Sequence, residues 1–414
     1  MNISLFLLAP VFGLLLGGML LQYLTVPPLE MEKYQFFTSL ALFGLLVILA
    51  VAYARYVFLL TFTLALCGAL GGYLWQTHRF LSRVDERPLP ELTRSPEDES
   101  SGHAAVIYFA HGEPEQFDPI GWLNQFREFD NQGVAFIPFL ARPFFIYLLR
   151  RKYLKVGLSE HHKMHRRMLE KLEGAFRQAG DSTTRFYLAF LDDHPNIQAA
   201  LIQALNDGAA RVVISEVFLT PSNHTAEGRY LIEALNPAQY GVTVDYTGPL
   251  WNSEQLQRMF PVRAGQARGA TPKEKTAILL VGHGQPQAWD EAWPEETSRE
   301  IGFREAVLRL FEAEGYPPEN LGVAWMEFRE PKPAEAVERF AALGVEKVLY
   351  FSAAISAASI HSKADVPELV EQAEIPAEIA LINLGAWNDD PMVISAIQEK
   401  IEAVLGVPQD ETTT

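Results

Sequence analysis

The sequence predicts a membrane-anchored α/β protein: three transmembrane helices, then two similar flavodoxin-like parallel-sheet domains facing a cleft. Three observations carry this reading. Three apolar stretches of near-bilayer length lie within residues 4–76. An apolar run ending in His-Gly-x-Pro occurs twice, as AAVIYFAHGEP at 104–114 and TAILLVGHGQP at 276–286. The segment 186–214 also parallels 321–350, each reading strand, Pro-containing turn, amphipathic helix, Gly, strand.

The apolar stretches, 4–24, 34–54 and 57–76, each approach the about 20 residues that cross a bilayer as helix. A cleaved signal peptide fits poorly, because residues 1–3 carry no basic side chain and VPPLE is a poor cleavage site. Lys33, Arg79, Arg83 and Arg87 outnumber the single Arg55 on the opposite side, which points the large domain to the cytoplasm. Glu30, Glu32, Asp85 and Glu86 dilute that bias. The opposite topology would make the protein a periplasmic metal-binding module. Cys67, the only cysteine, lies within a span, so no disulfide within the chain and no thiolate cluster can form. This agrees with a reducing compartment. The net charge of -17 excludes a basic nucleic-acid footprint. Oligomeric state has no signature.

Residues 82–102 are charged and Pro/Ser-rich and read as a tether, and 408–414 as a frayed tail. Domain 1 is expected over 103–259, a linker over 260–275, and domain 2 over 276–407. Ile197, Leu201 and Leu205 in one repeat, and Val337, Phe340 and Leu343 in the other, have helical spacing. Gly208 and Gly344 stand where helix stops are expected. Such strand–helix–strand units favour right-handed parallel crossovers. The first half is longer between matching points because of an insert, 122–154, with nine aromatics and a basic end at Arg150, Arg151 and Lys152. It reads either as a helical insert burying its own aromatics or as an apolar lip suited to a flat hydrophobic ligand or the bilayer surface.

Parallel sheets place their chemistry outside the carboxyl ends of their strands. His283, Glu327 and His361 all follow strand-type runs and are expected at one sheet end. Imidazole and carboxylate together suit intermediate divalent metals, and imidazole also carries protons near neutrality. Asp365, one helical turn after His361, is placed to orient its ring. The competing reading is of structural turn histidines. In the first half the matching set is His111, Asp192 and His224, with Glu113 and Glu227 nearby. It reads as a second metal site, a substrate-carboxylate pocket or a worn copy. His194 is expected to end its strand in a turn. HHKMH at 161–165 lacks the glutamate of HExxH and reads as an ordinary exposed helix. There is no GxxxxGK[ST], GxGxxG or GxSxG, and no arginine precedes either His-Gly.

From these residues the chain resembles the class II tetrapyrrole chelatases, the ferrochelatase and sirohydrochlorin cobalt/iron chelatase group, over about 103–407. LLVGHGQP resembles the family's opening strand and metal histidine. AWMEFREPKPAEAVERFAALGVEKVLYF resembles its Glu-containing strand and helix. IHSKADVPELV is similar to the H-x-x-x-D-[IV]-P segment of the sirohydrochlorin type. REF at 127–129 and IPFLARPFFIYLLRRKY look like the family's lip. LTPSNHTAEGR is loosely similar to the ferrochelatase Pro-x-x-Ser-x-x-Thr loop. Lys363 stands near the place where ferrochelatases carry an acid, with His361 substituting as in the sirohydrochlorin type. The resemblance implies a ferrochelatase-like lyase of haem or related biosynthesis. His283, His361 and Glu327 would bind the metal and act in catalysis, while His111, Asp192, His224 and Arg127 would bind the macrocycle. The metal (Fe first, with Co and Ni the other candidates) would be substrate, with no permanently bound cofactor. The bilayer is the second expected partner. A non-catalytic tetrapyrrole- or metal-binding protein is the alternative.

Overall fold

The computed structural model describes residues 3–52, 56–83, 88–131 and 137–406. Arg55, Asp85, Glu86 and Arg87, on which the charge bias leans, lie outside them, as do 132–136 of the insert and the tail. The chain forms two compact bodies, one of residues 1–87 with 116–157 and one of 88–115 with 158–414.

In the first body, α1 (Ile3–Thr25), α2 (Met31–Val51) and α3 (Tyr56–Leu81) are long and apolar enough to cross a membrane. α1 and α3 meet backbone to backbone. A Cβ on Gly13 would collide with the Ala65 carbonyl and one on Gly17 with that of Ala69; Gly68 and Gly72 are equally crowded by Pro10 and Leu14. Both helices thus carry Gly-x-x-x-Gly on the contact face, the spacing that lets apolar helices pack closely where water supplies no drive. The insert belongs to this body. It forms α4 (Gly121–Asn131) and α5 (Arg142–Val156), and α5 packs on α1. Arg150, 1% exposed, donates to the carbonyls of Tyr23 and Val26 at the end of α1, with the Tyr23 and Tyr147 rings about its guanidinium. In the insert Trp122, Phe126 and Tyr153 are buried, whereas Phe139, Leu140, Phe144, Leu148 and Leu154 are exposed.

The second body holds two four-stranded parallel sheets. The first runs β1 (Ala104–Ala110), α6 (His161–Gln178), β2 (Arg185–Phe190), α7 (Ile197–Asn206), β3 (Arg211–Glu216), α8 (Asn223–Glu233), β4 (Thr243–Tyr246) and α9 (Glu254–Arg268). The second runs β5 (Thr276–Gly282), α10 (Gln287–Ala292), α11 (Pro294–Ala313), β6 (Leu321–Trp325), α12 (Pro333–Ala342), β7 (Lys347–Ser352), a π-turn at His361–Asp365, α13 (Val366–Glu371), β8 (Ala380–Gly385) and α14 (Pro391–Leu405). Both sheets have the same order, β2-β1-β3-β4 and β6-β5-β7-β8. The duplication extends to single bonds: Phe190 N donates to Pro195 O at 2.8 Å where Trp325 N donates to Pro331 O at 2.9 Å.

Strand alternation splits the side chains between two faces. Val106 and Tyr108 of β1, with Ile278 and Leu280 of β5, enter one shared core, while Ile107 and Leu279 enter separate outer cores. The halves also exchange helices. α9 packs on β7, β8 and α11 of the second half, and α14 packs on β3 and α6 of the first. The expected linker 260–275 is therefore helix as far as Arg268. Phe260 is 1% exposed, a burial that contributes about 1.5–3 kcal/mol.

Candidate active site in the cleft between the sheets

Both sheets reverse strand order at their first strand. His111 follows β1, His224 follows β3, His283 follows β5 and His361 follows β7, so each pair flanks a switch point, where parallel sheets open a crevice. The glycine after each first histidine has a local reason. A Cβ on Gly112 would meet the Asp193 backbone at 2.7 Å, and one on Gly284 would strike the Glu327 carbonyl. Only glycine lets the next turn pass this close.

Each leading imidazole is held by the same bond. His111 Nδ1 lies 2.7 Å from Gly112 O, and His283 Nδ1 lies 2.7 Å from Gly284 O. A carbonyl only accepts, so the proton sits on Nδ1 and Nε2 presents its lone pair. The His283 and His361 rings are perpendicular with centroids 5.7 Å apart, and those of His111 and His224 perpendicular at 5.0 Å. His361 Nδ1 is 2.6 Å from Asp365 Oδ2, the orienting contact expected of a carboxylate behind a working histidine. Burial opposes charge on His361. The hydrogen bond to Asp365 and the charges of Asp365, Glu113 and Glu327 outweigh it and raise the pKa. Glu327 is exposed at the end of β6, its amide donating to His283 O at 3.0 Å.

The first-half set is electrostatically different. Burial pushes His111 down to about 4 even though its side chain keeps 35% of its surface open; nearby His361 and His283 add to the shift. His224 is driven well down by burial and by His111 and His283. The two halves meet here, where Glu113, two residues after His111, accepts from the Ile360 amide that precedes His361. His111 Nε2 also lies 3.3 Å from Asp192 Oδ2. A bare imidazole nitrogen facing a carboxylate oxygen is two acceptors in contact, an arrangement that a cation or a proton relieves.

Arg127 lies in the first body, where it donates to the Arg83 carbonyl. The exposed-helix reading of HHKMH is incorrect. His161, His162 and His165 are 4%, 7% and 0% exposed, because α6 turns this face onto β1 and β2. Two further residues support the site. Glu113, only nearby in sequence terms, is buried and accepts from the Ile360 amide at 3.0 Å and from the Ser159 hydroxyl. Burial raises its pKa against the pull of His361, Ser159 and Ile360. Glu300 Oε1 accepts from the His283 amide at 3.1 Å and faces buried Arg304. Its sequence signal was an i, i+4 Glu–Arg pair inside an amphipathic helix. Among the described residues, no three or more His, Cys, Asp or Glu side chains are drawn together as a ready metal-holding group.

No family model and no curated protein matches the chain. Among solved structures it is similar to SirB from Bacillus subtilis with Fe3+, at TM-score 0.46 and 13% identity over 72% of this chain and 94% of that one. It is similar to the sirohydrochlorin chelatase SirB from Bacillus subtilis subspecies spizizenii in complex with cobalt, at 0.42 and 12% over 74% and 97%. A third is CbiX, described as the terminal enzyme for biosynthesis of siroheme in denitrifying bacteria, at 0.42 and 14% over 73% and 98%.

Proposed function

We propose that the protein is a membrane-anchored chelatase that inserts a divalent metal into a tetrapyrrole held in the cleft, with iron first among the metals and cobalt or nickel next. The observation that carries this is the second-half pair, two perpendicular imidazoles at one switch point, with Glu327 bonded through its amide to the His283 carbonyl. Insertion exchanges one M2+ for two pyrrole N–H protons, so the site needs donors for the ion and acceptors for the protons. His283 Nε2 is assigned to the metal, with Glu327 and His361 completing its path. His361, held basic by Asp365, and buried Glu113 are suited to take up protons. A metal in transit requires donors that release it, so a closed cage is not needed. His111, Asp192 and His224 are assigned to the macrocycle.

Three spans would anchor the chain in a membrane, which dissolves broad apolar porphyrins. The exposed row Phe139, Leu140, Phe144 and Leu148 shares a body with those spans and suits the interface. Lys33, Arg79 and Arg83 favour a cytoplasmic soluble part. The test offers Fe, Co, Ni and Zn with protoporphyrin, coproporphyrin and sirohydrochlorin to the full chain in detergent, following absorbance. Insertion is expected for at least one pair. Macrocycle binding with no insertion of any metal would make the protein a tetrapyrrole binder instead.

A further inference from the structure

The buried histidines at the start of α6 have no part in the mechanism above. Two of the three have evident partners. His162 Nε2 lies 3.1 Å from Asp193 Oδ2, and its ring stacks on Phe190 with centroids 4.2 Å apart. His165 Nδ1 lies 2.9 Å from the Tyr108 hydroxyl. The other side of His165 is less ordinary. Its Nε2 lies 3.3 Å from His161 Nε2 and 3.4 Å from Ser356 Oγ, a residue of the second half. His161 Nδ1 is buried, and no described residue takes its hydrogen bond. An unmade bond at a buried nitrogen costs about 1–3 kcal/mol, so a reason for a histidine here lies at its other nitrogen, Nε2, which faces His165 Nε2.

We propose that His161 and His165, with Ser356, form a second cation site behind the cleft, which takes one borderline divalent transition-metal ion through the two Nε2 atoms. The separations suit this. Two nitrogens each about 2.0–2.1 Å from one ion at a tetrahedral angle lie roughly 3.4 Å apart. With two imidazoles and one hydroxyl from the protein, water completes the coordination. Tyr108 then accepts from His165 Nδ1–H, the outer contact that fixes a ligating ring. Burial keeps both rings unprotonated, with His165 near 3, so protons do not compete for the lone pairs. Proximity to a helix N-terminus opposes a cation by about 0.3–1 kcal/mol, a small term beside metal–imidazole bonding. The buried Glu113 carboxylate, linked through Ser159 to the His161 amide, supplies compensating charge.

The probe is Co2+ alone, titrated into the full chain in detergent and read by its visible d–d absorbance. In a chain with His111, His224, His283 and His361 all changed to Ala, about one Co2+ per chain is expected to remain. Adding His161→Gln and His165→Gln is expected to remove it. Should that chain fold poorly by circular dichroism, His161→Asn alone leaves the His165–Tyr108 contact and is expected to weaken Co2+ binding at least about 10-fold. No Co2+ on the four-Ala chain, or binding unchanged by His161→Asn, would overturn the site. No macrocycle enters the assay, so a failure of insertion chemistry does not affect its outcome.

Discussion

The two halves of the soluble body share strand order, turn geometry and the His–Gly bond, yet His361 of the second half and His111 and His224 of the first sit in opposite electrostatic conditions. In the second half, Asp365 stands one helical turn beyond His361 and holds it basic. The residue four beyond His224 is Gly228, pressed against the Phe109 ring, where no side chain fits. Lacking an acid there, His224 and His111 are held neutral by burial and by the neighbouring histidines. The first half also serves the second, since Glu113 accepts the Ile360 amide that leads into His361. The duplicated fold therefore supports two histidine pairs, and the carboxylate four residues beyond the second histidine separates a proton-accepting His361 from a neutral His224.

Removing each histidine pair in turn separates their roles. His283→Ala with His361→Ala is expected to reduce metal insertion by more than the roughly 10–100-fold that outer-contact changes cost. His111→Ala with His224→Ala is expected to cost less in turnover and more in macrocycle affinity. Single-turnover absorbance and fluorescence titration separate the two. A larger turnover loss from the first-half pair would reverse the assignment.

Asp365→Asn tests the cause of the asymmetry. It keeps the shape of the contact and removes the charge that raises His361. Metal affinity at the cleft is expected to fall about 10–100-fold at pH 8. Because a less basic His361 loses its proton sooner, the midpoint of metal binding against pH is expected to move to lower pH. A midpoint that stays in place would show that Asp365 only orients the ring.

Much of this was legible from strand ends. An apolar run closing on His-Gly marks a parallel strand and its exit; two such runs point to His111 and His283, and the second strand-type run of each half leads to His224 and His361. The burial of HHKMH was not legible, because its cover is Phe190 and Tyr108 from strands distant in sequence. The helix through Arg268 was hidden differently. Its buried Leu256, Met259, Phe260 and Ala264 have helical spacing, but a boundary drawn at 260 cuts that pattern in half, and the surface it covers belongs to the other sheet. The paired Gly-x-x-x-Gly motifs of α1 and α3 were readable and point to helix pairing; composition alone hid them among apolar neighbours.

The smallest expected effect concerns stability against pH, and it too divides by half. His111, near 4, and His165, near 3, are held below the about 6.5 of an unfolded histidine. The unfolded chain therefore binds their protons first, so their contribution is complete above about 6.5 and is lost as pH falls toward 4 and then 3. His361 runs the other way. Its folded pKa is raised, so its contribution is complete below about 6.5 and is lost as pH rises through the folded value. For the fully buried His165, the first pH unit below 6.5 removes about 1 kcal/mol, and the slope then approaches about 1.4 kcal/mol per unit. His111, 35% exposed, loses less because solvent screens it. Denaturant melts at pH 6.5 and 5.5, with a chelator present, are expected to show the wild-type chain losing more stability than His165→Gln by roughly this amount. The window lies above most carboxylate titrations, which isolates the histidines. Equal losses in the two chains would mean that the first-half cluster is not held neutral by its burial, and the contrast between the halves would then rest on Asp365 alone.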